Sequence, residues 1–286
     1  EAYADRRIGD GVGQRDLTIT RARPKTISSF RQAYPRLPFV VADNSLQKYP
    51  RADVDYIAVE AGSGISKSRN AALERVRTPY MLLVDDDHVR LDSSKIENLL
   101  EYMGTHGFDL VAGNQVEKYD EPFDFHGSYQ VQGSLLLHFV GASTGEAVGA
   151  PRFHVTPNFF VARTEVIQGV AWDEKLRFAK EHDDFFLTAK LHDLKVGYCP
   201  GVEVLNASKA KSHGGDRALA CEEYFFRKWG VEDKVEIRWI PHPFPRVSFY
   251  STRMKHAIEP SRELFEQACR VFAARDPNFE VLNPYE

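Results

Sequence analysis

The sequence predicts an α/β chain with a mixed, mostly parallel sheet flanked by helices and a smaller antiparallel portion, and three observations carry this. Short apolar runs such as Phe39-Val40-Val41-Ala42 and Tyr80-Met81-Leu82-Leu83-Val84 have the length and composition of buried strands. Each runs directly into polar groups, Asp43-Asn44-Ser45 and Asp85-Asp86-Asp87. Between residues 17 and 84 the order is strand, helix, strand, strand, loop, helix, strand, the pattern of a parallel sheet with covering helices.

In chain order, residues 1–15 are charged and Gly-rich and read as a flexible lead-in with no signal-peptide core. Leu17 to Thr20 alternates as a first strand. Pro24 can open a helix that Pro35 ends. Val54 to Val59 is the third strand, and Gly62 to Asn70 is a Gly/Ser loop feeding a helix that runs to about Val76. Ser94 and Glu97 have capping-box spacing for a helix from Ser93. Phe108 to Ala112 is a further strand. Residues 113–157 are irregular and aromatic, with one long alternating stretch from Val131 to Val140, which suits antiparallel sheet. Asn158 to Arg163 reads as a strand, Thr164 as the cap of a short helix, Phe185 to Leu191 as a helix and Val196 to Leu205 as a strand. Helical patterns return near 217–229 and 257–274. The expected division is a lead-in (1–15), one domain (16–230) and a C-terminal extension packed on it (231–286).

Composition limits the function. Apolar content of 43%, charged content of 27% and a net charge of −4 describe an ordinary globular chain and give no reason to expect nucleic acid as a partner. No apolar run approaches the roughly 20 residues of a membrane span, so membrane association would come from segments outside this chain. Cys199, Cys221 and Cys269 suit neither a disulfide framework nor a zinc site. A reducing, cytoplasmic compartment follows.

Four stretches carry chemistry. Asp85, Asp86 and Asp87 follow a buried strand, at the sheet edge where α/β proteins bind ligands. If strand geometry persists, Asp85 and Asp87 point to one side to hold a divalent cation and phosphate oxygens, while Asp86 faces a ribose or the backbone. The alternative is a solvated acidic turn. In the loop Gly62 to Asn70, Ser66 and Arg69 lie at a helix start that attracts anions, or they serve only as a cap and a surface charge. Glu181, His182, Asp183 and Asp184 either cap a helix or supply a general base to an attacking hydroxyl. His213, in the basic segment 207–216, either completes a metal shell or is simply exposed.

Together these stretches resemble a known family. The residues are Asp43-Asn44 at a strand end, the G-x-S-x-S-R-N of Gly64 to Asn70, and the T-P-Y-x-L-x-V-D-D-D of Thr78 to Asp87. They continue with the N-F-F-x-A-R of Asn158 to Arg163, the E-H-x-D-F-F of Glu181 to Phe186, and Ala207-Ser208-Lys209. Over about residues 17–211 the chain is similar to GT-A (Rossmann-like) nucleotide-sugar glycosyltransferases, above all the β-1,4-N-acetylgalactosaminyltransferase group and bacterial glycosyltransferase-2-like enzymes. The resemblance implies an inverting, Mn²⁺- or Mg²⁺-dependent transfer from a UDP-sugar to a glycan or glycolipid. It implies that Asp85 and Asp87 meet metal and diphosphate, and that Thr20, Arg21, Asp43 and Asn44 border the nucleotide. Arg69 and Asn70 would lie near ribose or phosphate, and Asn158 and Phe159 near donor sugar or acceptor. It places the base at Asp184, with Asp183 and then His182 behind it. The chain departs from the pattern at His182, where many such enzymes have Asp, and at Asn206, where the N-acetylgalactosaminyltransferases have His. If the chain is cut from a eukaryotic enzyme, the Golgi lumen replaces the cytoplasm. Two other readings are a sugar nucleotidyltransferase, against which the glycine-free Thr20 to Pro24 argues, and a non-catalytic glycan-binding protein on the same fold.

Overall fold

The computed structural model describes residues 17–20, 24–117, 125–207, 216–241, 245–276, 279–281 and 285. Among them, ten strands form one large sheet. β1 (Leu17–Thr20), β2 (Phe39–Asp43), β3 (Asp55–Ala58) and β4 (Tyr80–Leu83) make its parallel half, in the order β3-β2-β1-β4. α1 (Pro24–Ala33) and α2 (Ile65–Leu73) form the crossovers. β11 (Phe160–Arg163) then runs antiparallel between β4 and β6 (Leu110–Glu117), with Phe160 opposite Leu83 and Ala112. β12 (Val196–Asn206) lies parallel to β6 and continues, through β10 (Ala150–Phe153), to the edge strand β9 (Gly145–Ala147). The short β5 (His88–Arg90) pairs with the end of β12. This is the mixed sheet the sequence predicts, with helices α3 (Ile96–His106), α4 (Thr164–Val170) and α5 (Glu181–Leu191) around it.

The second sheet joins distant parts of the chain. The stretch from Val131 to Val140 is not one strand: Gly133, with φ +56°, turns it into a hairpin of β7 (Gly127–Gln132) and β8 (Leu135–Val140). After α6 (Asp216–Trp229), β13 (Asp233–Ile240) pairs parallel to β8. β14 (Arg246–Ser251) and β15 (His256–Ala257) extend the sheet, and α7 (Arg262–Ala273) packs against it. The region 231–256 therefore supplies strands, which helical periodicity at 257–274 gave no sign of, and the C-terminal residues share a sheet with 127–140.

Two local readings are corrected. Ser94 and Glu97 do not form a capping box: Ser94 Oγ bonds the Glu203 carbonyl and accepts from Leu91 N (2.8 Å), while Glu97 accepts from Tyr34 OH (2.6 Å). Thr164 opens α4 without a side-chain cap, since Arg163 is the N-cap. The core lies on both faces of the large sheet. On one face Leu82, Leu99, Met103 and Phe159 meet; on the other Met81, Phe160, Phe185 and Trp172 do, with Trp172 stacked on Phe185 at 4.6 Å. No helix among the described residues is long and apolar enough to cross a membrane.

Candidate active site

Three features meet at the C-terminal edge of β1, β2 and β4. The first is the turn that follows β4. Its strand geometry stops at Leu83, and Asp85 to His88 form a tight turn closed by His88 N donating to the Asp85 carbonyl (3.1 Å). The expected alternation of Asp85 and Asp87 on an extended strand is therefore replaced by a turn. His88 is buried, and its Nδ1 accepts from Asp85 N (3.0 Å). Its other ring nitrogen, Nε2, lies 2.8 Å from the side-chain nitrogen of Gln115. Asp85 accepts from Arg69 Nη2 at 2.9 Å. Burial, and then the like charges of Asp85 and Asp86 against the opposing pull of His88, raise the Asp87 carboxyl above its ordinary range.

The second feature is a cleft of about 460 Å³ lined by Pro24, Ile27, Asp43, Tyr49, Tyr56 and Asp86, among others. Burial acts to raise Asp43, but Ser45 and Tyr56 (2.8 Å) donate to it and hold its carboxyl down at about 2. The cleft is thus floored by a fixed anion and walled by aromatic rings.

The third is the first turn of α5. Lys180, at φ +64°, swings the chain into the helix, and Glu181, His182, Asp183 and Asp184 follow. They separate by depth. Asp183 is buried and accepts from Tyr129 OH (2.6 Å) and Lys234 Nζ (2.7 Å), with Lys180 Nζ at 3.7 Å. Burial would raise its carboxyl, yet these cations hold it far below the usual range. Asp184 is 2% exposed, pairing with Lys228 Nζ (2.8 Å) and accepting from Trp229 Nε1 (2.8 Å). Burial keeps its carboxyl raised despite those partners. Both aspartates are buried and each is paired with a lysine. Glu181 stays at the edge, 3.7 Å from Arg69 Nη1. His182 Nδ1 lies 2.7 Å from Asn158 Oδ1, between the rings of Phe125 (4.7 Å) and Phe186 (5.0 Å).

Arg69 ties the first feature to the third. It is fully buried, bonds Asp85, approaches Glu181 and lies over the Trp172 ring at 5.5 Å. The structure thus brings together Asp85, Asp86, Asp87, Arg69, Asp43, Asn158 and His182. Three more of the predicted residues bond to neighbouring loops, and one of them, Asn44, also lines the cleft. Ser66 is buried and donates to the Leu176 carbonyl (2.6 Å). Asn70 clamps the loop after α4, donating to Trp172 O (2.8 Å) and accepting from Trp172 N (2.9 Å). Asn44 donates to Gly64 O (3.0 Å) and thereby holds the glycine loop beside the cleft. Thr20 ends β1 at the same edge; its side chain, Arg21 and His213 lie outside the described residues. Among those described, no cluster of three His, Cys, Asp or Glu side chains has metal-binding geometry. Asn206, the departure noted in the sequence, donates to Glu117 (3.2 Å). Sequence reasoning missed His88, whose signal was its place directly after the Asp triplet, and Tyr56, which had none.

Comparison with known proteins matches residues 25–169, half of the chain, to the family model described as glycosyl transferase family 2. The chain is similar to beta-1,4 N-acetylgalactosaminyltransferase 2 of Mus musculus, with 32% identity over 74% of this chain and 42% of the relative. It is similar to beta-1,4 N-acetylgalactosaminyltransferase 1 of Homo sapiens, with 33% identity over 69% of this chain and 39% of the relative. It therefore spans about two fifths of the length of these curated relatives. Among solved structures, S. aureus TarS aligns with a TM-score of 0.48 at 15% identity, covering 68% of this chain and 37% of that one. TarS 1-349 in complex with UDP-GlcNAc aligns with a TM-score of 0.48 at 12% identity, covering 69% and 59%.

Proposed function

The chain belongs to glycosyl transferase family 2, and from that membership we propose that it moves a sugar from a UDP-sugar to a hydroxyl of a glycan or glycolipid, with inversion. The observation that carries this reading is the convergence, at one sheet edge, of the Asp85–His88 turn, the cleft at Asp43 and the first turn of α5. A nucleoside in the cleft would stack beside Tyr49 or Tyr56 and place its ribose at Asp86. Its diphosphate would then lie at the Asp85–Asp87 turn.

The residues of that turn fit a divalent cation. Of three consecutive carboxylates Asp85 is paired with Arg69, and Asp87 is raised by burial and by its acidic neighbours, so further positive charge is stabilising there. Mg²⁺ and Mn²⁺ sites need only one or two carboxylates when substrate phosphates complete the shell. Asp85 and Asp87 would hold the ion, which when bound stabilises negative charge on the departing diphosphate. The chain's own part is to orient the donor through Arg69, Asp43 and Asp86. The base would come from Glu181 or His182 in the same α5 turn, because Asp183 and Asp184 are already held by Lys234 and Lys228.

The test is incubation with a panel of UDP-sugars, with and without EDTA, with the products read by mass spectrometry. UDP release that is abolished by EDTA and by Asp87→Ala supports the reading. Activity indifferent to both removes the metal role, and pyrophosphate release from a nucleoside triphosphate would make the chain a nucleotidyltransferase instead.

A further inference from the structure

Asn158 and His182 form a pair whose chemistry the fold leaves unfinished. Asn158 Oδ1 can only accept, so at 2.7 Å it requires a proton on His182 Nδ1. His182 Nε2 then carries a lone pair, and that atom is buried with no hydrogen-bond partner among the described residues. A buried polar atom left unpaired costs about 1–3 kcal/mol and calls for an explanation. Among the described residues, the rings of Phe125 and Phe186 stand edge-on to the imidazole, at 4.7 and 5.0 Å. Arg69 and Asp85, which tie α2 to the acidic turn, lie close enough to act on it electrostatically, as do Asp183 and Lys234.

Resting on the nucleotide-sugar reading above, we propose that His182, fixed by Asn158 in its Nδ1-protonated form, is the catalytic base, with Nε2 receiving the acceptor's proton. In the step, the acceptor O–H bond breaks and its proton passes to Nε2. The acceptor oxygen forms a bond to the sugar's anomeric carbon. The bond from that carbon to the diphosphate breaks, and its electron pair leaves with the nucleotide. The hydroxyl supplies the partner that Nε2 lacks. Glu181, by contrast, already faces the Arg69 guanidinium. Burial, with Arg69 and Lys234 against the opposing pull of Asp183 and Asp85, lowers the imidazole to about 4. His138, which is neutral and buried nearby, adds no counter-charge. His182 is thus unprotonated across the neutral range, and only an acid limb is expected in the rate profile.

The test uses acceptor-free hydrolysis of UDP-N-acetylgalactosamine and UDP-N-acetylglucosamine, where water replaces the hydroxyl, with UDP affinity measured in parallel by calorimetry. His182→Gln is expected to lower kcat at least 100-fold, the scale of general-base catalysis, while UDP affinity changes less than threefold. Added imidazole should partly rescue His182→Ala. Asn158→Asp keeps the acceptor at Nδ1 and should retain turnover, with the acid limb moved upward. Near-wild-type kcat in His182→Gln, or loss confined to Glu181→Gln, overturns the assignment, as does an Asn158→Asp variant that binds UDP without turnover. A wild-type chain that neither binds UDP nor hydrolyses either donor overturns the nucleotide-sugar reading and the base with it. UDP binding with undiminished hydrolysis in His182→Gln overturns the base alone.

Discussion

His88 shows how one side chain shapes the acidic turn. It accepts from Asp85 N and reaches Gln115 with its other nitrogen, so the direction of Asp85 is set from within the sheet. His88→Ala removes both contacts, one of them to the buried Gln115, and should destabilise the chain by about 1–3 kcal/mol in urea unfolding. It should also weaken UDP binding at least tenfold; full affinity would show that the turn holds without it. A second residue-scale expectation concerns pH. His154 and His182 are lowered to about 4 and His138 further, each chiefly by burial. Their unfolded value is near 6.5, so the unfolded chain binds more protons, and stability is lost as pH falls from 6.5 toward 4. Asp183 acts in a separate window: its depressed carboxyl stabilises the fold above about 3.8, and that contribution is lost only in stronger acid. The urea midpoint should therefore fall between pH 7.5 and 5.0, and an unchanged midpoint contradicts the three neutral histidines. At this scale the sequence revealed which residue types carry chemistry, but not their depth. Asp183 and Asp184 look like surface acids because the residues that bury them, Lys228, Trp229 and Lys234, lie 44 to 51 positions away.

Elements of the parallel half were legible because each is written locally. β2 and β4 are apolar runs with polar ends, and Pro24 opens α1 where its missing N–H costs nothing. In the loop before α2, whose sequence suits either an anion site or a plain helix cap, the glycines make a close approach possible. Gly64 sits at φ +100°, and a Cβ there would lie 2.5 Å from Arg177 Cβ. Ile65 N donates to the Arg177 carbonyl (3.0 Å), and Arg177 donates back to Ser63 O (3.1 Å). The loop is thus packed against the segment that leads into α5. Gly64→Ala must move backbone, and should lower the thermal midpoint by several degrees and reduce UDP affinity through Asn44. A variant with both unchanged would show that this contact does not position the cleft. The second sheet was illegible for the opposite reason. β8 finds its parallel partner β13 about a hundred residues later, and no local period records such a pairing.

The whole molecule is organised so that its C-terminal strands support the site. Lys234 on β13 is 2% exposed and completes Asp183 beneath the α5 turn, beside Tyr129 of β7. Lys234→Met would leave a buried carboxylate short of its cation and should destabilise by about 3–5 kcal/mol, whereas adding Asp183→Leu should recover most of that loss. Urea unfolding of the two variants checks this, and equal losses would show that the pair contributes packing alone. The strands β13, β14 and β15 thus share a sheet with β7 and β8, so the expected C-terminal extension contributes to the support of the site. The central claim is that the edge of the large sheet binds a nucleoside diphosphate through a cation held by Asp85 and Asp87. Calorimetric titration of UDP into wild-type chain and Asp87→Ala, each with and without Mn²⁺, tests it most directly. Binding should require Mn²⁺ in the wild type and weaken at least tenfold in Asp87→Ala, about 1.4 kcal/mol or more. Binding of equal strength in all four titrations, or none in any, would contradict it.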